Sequence, residues 1–309
     1  MVFLRLLVLT AVVWAVQRTL RIGLADLGKQ HWQFQPGWLI LSGLLYLVSM
    51  LPCGIFWHRV LRAMGQDARL GETLRAYYIG HLGKYVPGKA LVVVLRAGLI
   101  RSHRVDTTVA AVSVFFETFT MMAVGAFVSA AILAAGSQRP WFLLLVALAA
   151  IVVVGLPTLP PVFRWLIRFP AVARRNPAQT EWIARLGYRT LLTGWVLITG
   201  GWFTMGVSLW AAHRGLGVGN PELLGQWAFY TACVSLATVI GFVSMIPGGL
   251  GVRDVFMAQL LVPHFGASVA LVIAVVLRLV WLVAEVIISG ILYFLGPRPS
   301  SVVAADEAG

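Results

Sequence analysis

Two apolar stretches of this chain are interrupted in the middle by Pro-Gly, and each interruption has cations beside it. The first, residues 77–100, reads YYIGHLGKYVPGKALVVVLRAGLI and carries Lys84, Lys89 and Arg96. The second, residues 244–254, reads SMIPGGLGVRD and carries Arg253. Proline removes a backbone donor and clashes with the preceding turn, and glycine relaxes what remains. In hydrocarbon, backbone of that kind persists only where protein or a water-filled cavity satisfies its polar groups. Composition makes hydrocarbon the medium: 60% of the residues are hydrophobic and only 11% are charged, far from the balance of a soluble domain. The sequence therefore predicts an all-α integral membrane protein. About six full transmembrane helices are expected, plus two Pro-Gly-broken re-entrant hairpins in an inverted-repeat arrangement.

Residues 1–295 read as a single polytopic membrane domain. A short apolar core at 6–16, between Arg5 and Arg18, reads as a weak first span or an uncleaved signal anchor. Full spans are expected at 37–57, 105–135, 141–163, 191–212 and 267–295. The broken segments occupy 73–100 and 222–262. Repeats of 37–163 and 190–295 then flank an amphipathic connection, 164–189, in which arginines alternate with Trp165, Trp182 and Leu186. Residues 296–309 read as a disordered tail.

Lys and Arg number 24 against 11 Asp and Glu. In a soluble chain that excess would point to nucleic acid; here it points to positive-inside loops and anionic headgroups, with no nucleic-acid partner. With a cytoplasmic N-terminus and both hairpins returning to their side of entry, fourteen Arg fall on the cytoplasmic side and five Arg or Lys outside. The expected product is a multi-pass protein of the cell (inner or plasma) membrane with both termini cytoplasmic.

A helix that restarts after a break presents free N–H groups and the positive end of its dipole, which together bind phosphate or carboxylate. The candidate substrate-binding residues are thus Lys84, Pro87, Gly88 and Lys89 at the first break, and Pro247, Gly248, Gly249, Gly251 and Arg253 at the second. A phospholipid or polyprenyl-phosphate headgroup, its tails left in lipid, is the natural occupant. Against this stands a plain kink with snorkelling lysines, which a charge cost of roughly 2.5–3.5 kcal/mol at the bilayer centre disfavours. Glu117, Asp254, Arg278 and Glu285 form a second group of intramembrane charges. Two readings stay open for the glutamates: coupling of a headgroup or proton to movement, or structural ion pairs with Lys89, Arg253 or, between Glu285 and Arg278, each other. Asp254 either orients Arg253 or caps the helix, and His81 either meets a headgroup or is a satisfied buried imidazole.

Metal and catalytic signals are weak. Cys53 and Cys233 fall in apolar runs and read as small buried hydrophobes, and His58, His103 and His264 show no ligand spacing. GHLGKYVPGK lacks the G-x-x-x-x-G-K-[ST] spacing of a phosphate loop. No cofactor, metal or catalytic residue is expected.

GKYVPGK (83–89), Glu117 within AVSVFFET, IPGGLGVRD (246–254) and Arg278 resemble the lysylphosphatidylglycerol synthase transmembrane-region family, also called flippase-like membrane proteins. The resemblance runs over residues 37–295. Members often carry Arg after the glutamate of the third span, where this chain has Thr118. The resemblance implies two re-entrant helices and a role in moving or presenting lipids: an anionic phospholipid, a polyprenyl-phosphate-linked lipid or a hopanoid-type lipid. Some members fuse this region to a soluble aminoacyl-transfer domain; synthase activity is not implied for a chain lacking it. The expectation is a lipid translocase acting without covalent chemistry. The alternatives are a membrane-embedded transferase using a lipid-linked donor, and a non-catalytic scaffold for envelope-lipid enzymes. A homo-oligomer or such an enzyme is the expected protein partner.

The charge asymmetry yields a first test. Single cysteines introduced between residues 164 and 189 are expected to resist impermeant maleimide in intact cells and to react once the membrane is opened; labelling in intact cells would reverse the orientation.

Overall fold

The computed structural model describes residues 32–85, 90–102, 104–135, 141–167, 181–182, 184–218, 223–246, 249 and 251–295. The expected weak first span, most of the amphipathic connection and the tail lie outside them. Among the described residues the regular structure is helical, and the β pairing is limited to an isolated bridge between Ser102 and Val105.

Helix α1 (Pro36–Ala63) begins with proline, whose missing N–H is no loss at the first position, and tolerates Pro52 inside it. The first broken segment follows as α2 (Leu70–His81), a 3-10 turn (Leu82–Tyr85) and α3 (Ala90–Ile100). Helix α4 spans Thr107–Ala135; Asp106 caps it, accepting the Thr108 and Val109 N–H groups at 2.8 and 2.9 Å. Helix α5 (Trp141–Ala150) runs on through a π turn (Ile151–Gly155) and a 3-10 turn (Leu156–Thr158). Here the expected span of 141–163 is corrected. Pro157, Pro160 and Pro161 cannot continue a helix, so a new one, α6 (Pro160–Ile167), starts at the proline pair. Next come α7 (Tyr188–Arg214), α8 (Leu223–Val243), the second break, α9 (Val252–Phe265) and α10 (Ala267–Leu295).

Six described helices are long and apolar enough to cross a membrane: Pro36–Ala63, Thr107–Ala135, Trp141–Thr158, Tyr188–Arg214, Gly225–Val243 and Ala267–Leu295. The protein is a multi-pass α-helical membrane protein. The set differs from expectation in one member. The first arm of the second broken segment, α8, is itself of spanning length, roughly 31 Å at 1.5 Å per residue, whereas α2, α3 and α9 reach only about 16–21 Å. An apolar core about 30 Å thick is too deep for those three.

Helix α1 packs most extensively on α7, and small residues make this close. The Ser42 hydroxyl donates to the Ser208 carbonyl and the Ser208 hydroxyl to the Ser42 carbonyl, both at 2.8 Å. A Cβ on Gly201 would stand 2.8 Å from the Ser49 carbonyl oxygen. Lipid offers helices no hydrophobic reason to associate, so close backbone approach and interhelical hydrogen bonds carry the contact. Several further contacts occur in matched sets: α1 on α2 and α7 on α8, α3 on α4 and α9 on α10, α2 on α10 and α8 on α4.

Gly206 of α7 faces α8 so closely that a Cβ would lie 2.8 Å from the Thr231 Cα. Backbone cannot yield as a side-chain tip does. Gly206→Leu is expected to destabilise the protein by about 1–3 kcal/mol, read as a lowered midpoint of thermal aggregation in detergent, while Gly200→Leu, where nothing lies within 4 Å, leaves it near wild type.

Candidate functional site

At the first break, Gly83 lets the 3-10 turn lie directly on the returning helix: a Cβ there would be 2.7 Å from the Val92 nitrogen. Gly80 likewise makes room for the Arg96 stem. At the second break the chain reverses through Met245, Gly249 and Gly251, with φ of 60°, 64° and 78°. That region suits glycine and strains most side chains. Helix α9 restarts at Val252, and Gly241 of α8 leaves space for Arg253, whose Cβ lies 2.8 Å from where a Gly241 Cβ would be. Pro87, Gly88, Lys89, Pro247 and Gly248 lie outside the described residues.

The breaks bring buried charges together. Arg96 of α3 donates to Glu117 of α4 at 2.8 Å, with the two residues 2% and 1% exposed. The Tyr77 hydroxyl (3.3 Å) and the Thr118 hydroxyl (3.3 Å) also donate to Glu117. The Arg96 guanidinium lies 3.9 Å from the Tyr77 ring centroid and donates to His81 Nδ1 at 3.3 Å. Because arginine only donates, His81 accepts at Nδ1 and carries its proton on Nε2. That nitrogen is 3.3 Å from the Tyr46 hydroxyl. The Tyr46 hydroxyl in turn donates to Glu285 Oε1, which also receives the Lys84 ammonium at 2.5 Å. One polar chain thus runs Glu117–Arg96–His81–Tyr46–Glu285–Lys84 across five helices and the first break.

Arg253 joins this chain from the second break. Its guanidinium lies 4.5 Å from the Trp281 ring centroid, and Trp281 stacks on Tyr46 at 4.1 Å with planes 10° apart. The Trp281 N–H is tied to Ser208 at 3.0 Å, which fixes the plane. Arg278 donates to Asp254 at 2.5 Å, and Asp254 accepts the Gly251 N–H at 3.2 Å. Asp254 therefore caps α9 and pairs with Arg278, and one N–H of the restarting end is already engaged.

The depth of the network follows from chain geometry. Glu117 is ten residues from the start of α4 and Glu285 ten from the end of α10, or about 15 Å in each case. Those two ends share one face of the molecule. Asp106 N–H donates to Gln66 near the start of α2 (2.7 Å), and Arg75 of α2 donates to the Leu292 carbonyl near the end of α10 (2.9 Å). Both carboxylates thus lie about 15 Å in from the same face of the helix bundle.

Among the described residues Glu285 pairs with Lys84, Arg278 with Asp254 and Glu117 with Arg96; Arg253 pairs with neither glutamate, and Lys89, the other partner the sequence offered, lies outside the described residues. Thr118 stands where relatives often carry arginine, and here the guanidinium arrives from another helix. Tyr46, Tyr77 and Trp281 were not anticipated. Trp281 and Glu285 are four residues apart on α10, so they share a face, and that spacing was readable. Nothing in the run around Tyr46 distinguished it from an ordinary core aromatic. Among the described residues no group of three or more His, Cys, Asp or Glu is placed to hold a metal ion.

Broken helices whose buried charges meet inside a bundle of six spanning-length helices make this a multi-pass membrane protein with an internal polar network. The chain belongs to the lysylphosphatidylglycerol synthase TM region family, whose model matches residues 2–289. The match leaves only Met1 and residues 290–309 of this sequence, so what is shared is the membrane region of that family. No curated protein matches the chain.

Taking one partner from a buried ion pair leaves an uncompensated charge, at a cost of about 3–5 kcal/mol. Arg96→Met and Glu117→Gln are each expected to lower thermal stability in detergent markedly, and the double variant to recover most of the loss. Equal damage in the double variant would assign Arg96 a role beyond neutralising Glu117.

Proposed function

We propose that the protein is a lipid translocase that binds an anionic or glycosylated lipid headgroup at mid-membrane and carries it between leaflets without covalent chemistry. Family membership supports a flippase-like, lipid-handling role in general terms. The observation that carries the finer reading is the convergence of the two breaks. Lys84 from one and Arg253 from the other meet the same stacked pair: Lys84 donates to the Tyr46 hydroxyl at 3.3 Å, and Arg253 lies over Trp281. At this depth the described carboxylates Glu117, Asp254 and Glu285 are matched by Arg96, Arg278 and Lys84. Among the described residues no carboxylate lies within ion-pairing distance of Arg253. A surplus guanidinium in hydrocarbon is costly unless an anion answers it, and a lipid phosphate has the bidentate geometry to do so.

The two halves are read as an inverted repeat of α1–α4 and α7–α10, each a span, a broken pair and a span, with the broken pairs re-entrant. Their matched contacts support this. So does the recurrence of a pair between the restarting helix and the next span, Arg96–Glu117 in one half and Asp254–Arg278 in the other. Repeats of this kind let one bundle rock against the other around a central site. The orientation that fits places both termini in the cytoplasm and the protein in the cell (inner or plasma) membrane. Lys84, Gly249, Gly251 and Arg253 serve as headgroup contacts together with the break residues Pro87, Gly88, Lys89, Pro247 and Gly248. An anionic phospholipid, a polyprenyl-phosphate-linked lipid or a hopanoid-type lipid is the substrate class.

The test is transbilayer movement in liposomes. Headgroup-labelled phosphatidylglycerol is expected to become accessible to external quencher with wild-type protein. Arg253→Ala and Arg253→Lys are each expected to slow it at least about tenfold, since a bidentate charged contact is worth roughly 1.5–3 kcal/mol and an ammonium cannot reproduce it. Equal rates in all three would reject the role of Arg253.

A further inference from the structure

Glu285 occupies the position a ligand anion would need in order to reach Lys84. It is 1% exposed, yet its two oxygens are treated very differently. Oε1 receives the Lys84 ammonium at 2.5 Å and the Tyr46 hydroxyl, with His81 Nε2 at 3.7 Å. Oε2 is buried and has no hydrogen-bond partner among the described residues. A buried ionised oxygen left without a donor forfeits the solvation it had in water. The Tyr85 hydroxyl stands beside the same carboxylate.

The described charged and titratable groups facing this carboxylate come from every side. They are Tyr46 of α1, His81 of α2, Lys84 and Tyr85 of the 3-10 turn, Arg253 of α9 and Arg278, two turns before Glu285 on α10. Beyond His81 stand Arg96 and Glu117, already paired. Arg278 is answered by Asp254, so among the described groups Glu285 is the carboxylate that balances Lys84, and Arg253 is left over. A phosphate drawn to Lys84 and Arg253 would meet Glu285 as a second anion in a low-dielectric space, where two like charges cannot both stay ionised cheaply.

Resting on the translocase reading, we propose that Glu285 is a built-in counter-ion: a lipid phosphate displaces it from Lys84, and the freed carboxylate takes up one proton from water at Oε2. The charge balances. The lipid brings one negative charge, the proton cancels that of Glu285, and the site keeps the same net charge empty and loaded. No covalent bond to the lipid forms or breaks. In the empty protein the Lys84–Glu285 pair closes the site on itself, and headgroup binding is coupled to protonation in a one-to-one ratio. Movement of the lipid would therefore respond to a pH difference across the membrane.

The coupling is measurable on the wild-type protein. Dihexanoyl phosphatidylglycerol is titrated calorimetrically into protein held in uncharged maltoside detergent, in buffers of different ionisation enthalpy at pH 7, and again from pH 6 to 8. Uptake of about one proton per lipid is expected, with affinity weakening by up to about tenfold per pH unit. Glu285→Gln, neutral at every pH, is expected to abolish both the proton uptake and the pH slope and to bind more tightly than wild type at pH 8. Wild-type binding that Arg253→Ala abolishes, but without proton uptake or pH slope, overturns the counter-ion role and leaves the headgroup reading intact. Absence of any Arg253-dependent binding by the wild type overturns the headgroup reading and the counter-ion role with it. If Glu285→Gln fails to fold, the wild-type proton count decides alone.

Discussion

A charge in hydrocarbon must be answered by another, and in this protein each answer comes from a different helix. Arg96 and Glu117 join α3 to α4, Asp254 and Arg278 join α9 to α10, and Lys84 and Glu285 join the first break to the last helix. The short helices α2, α3 and α9 cannot cross the apolar core by themselves. Losing one partner of any of these pairs would leave a buried charge uncompensated, at a cost of several kcal/mol. Ion pairs of this kind are weak evidence for stability in general. Here they do something narrower: they fix which broken helix stands against which span.

Packing makes the pairs possible. Helices α1 and α7 approach through Ser42, Gly201 and Ser208, and this puts Tyr46, Ser208 and Trp281 within one hydrogen-bonded and stacked cluster. A larger residue at Gly201 would push α1 outward, and Tyr46 with it. The polar chain from Glu117 to Lys84 passes through Tyr46, so its continuity depends on the closeness of two helices that carry no charge at that depth. Gly241 and Gly249 play the same part for Arg253, whose side chain reaches Trp281 because neither glycine blocks it.

On the translocase reading, such a site meets two opposing demands. It must be polar enough to hold a headgroup and must not leave naked charge when empty. An aromatic plane under Arg253 supplies part of the compensation without a carboxylate, since a ring face attracts a cation yet does not repel an incoming phosphate as an anion would. Lys84, by contrast, is compensated by a full charge. The two cations therefore differ in how readily they are released to a ligand, a distinction that a count of basic residues does not convey.

Much of the architecture was legible in the sequence because the membrane imposes simple rules. Apolar runs of spanning length marked five of the six long helices, and Pro-Gly within such runs marked both breaks. The span expected at 141–163 ran past Pro157, Pro160 and Pro161 into α6. The cations at the breaks and the carboxylates Glu117 and Glu285 stood out because charge is scarce at that depth. Sequence could not say which charge meets which. Lys84 and Glu285 lie 201 residues apart, and their contact depends on how α10 settles against α2 and the first break. Nor could it select Tyr46 from the other core aromatics, since its role is set by the stack with Trp281. Composition and periodicity determined what must be buried in the membrane and where the backbone must break. Tertiary packing decided the pairing, because a charge can be satisfied by any opposite charge that geometry brings near.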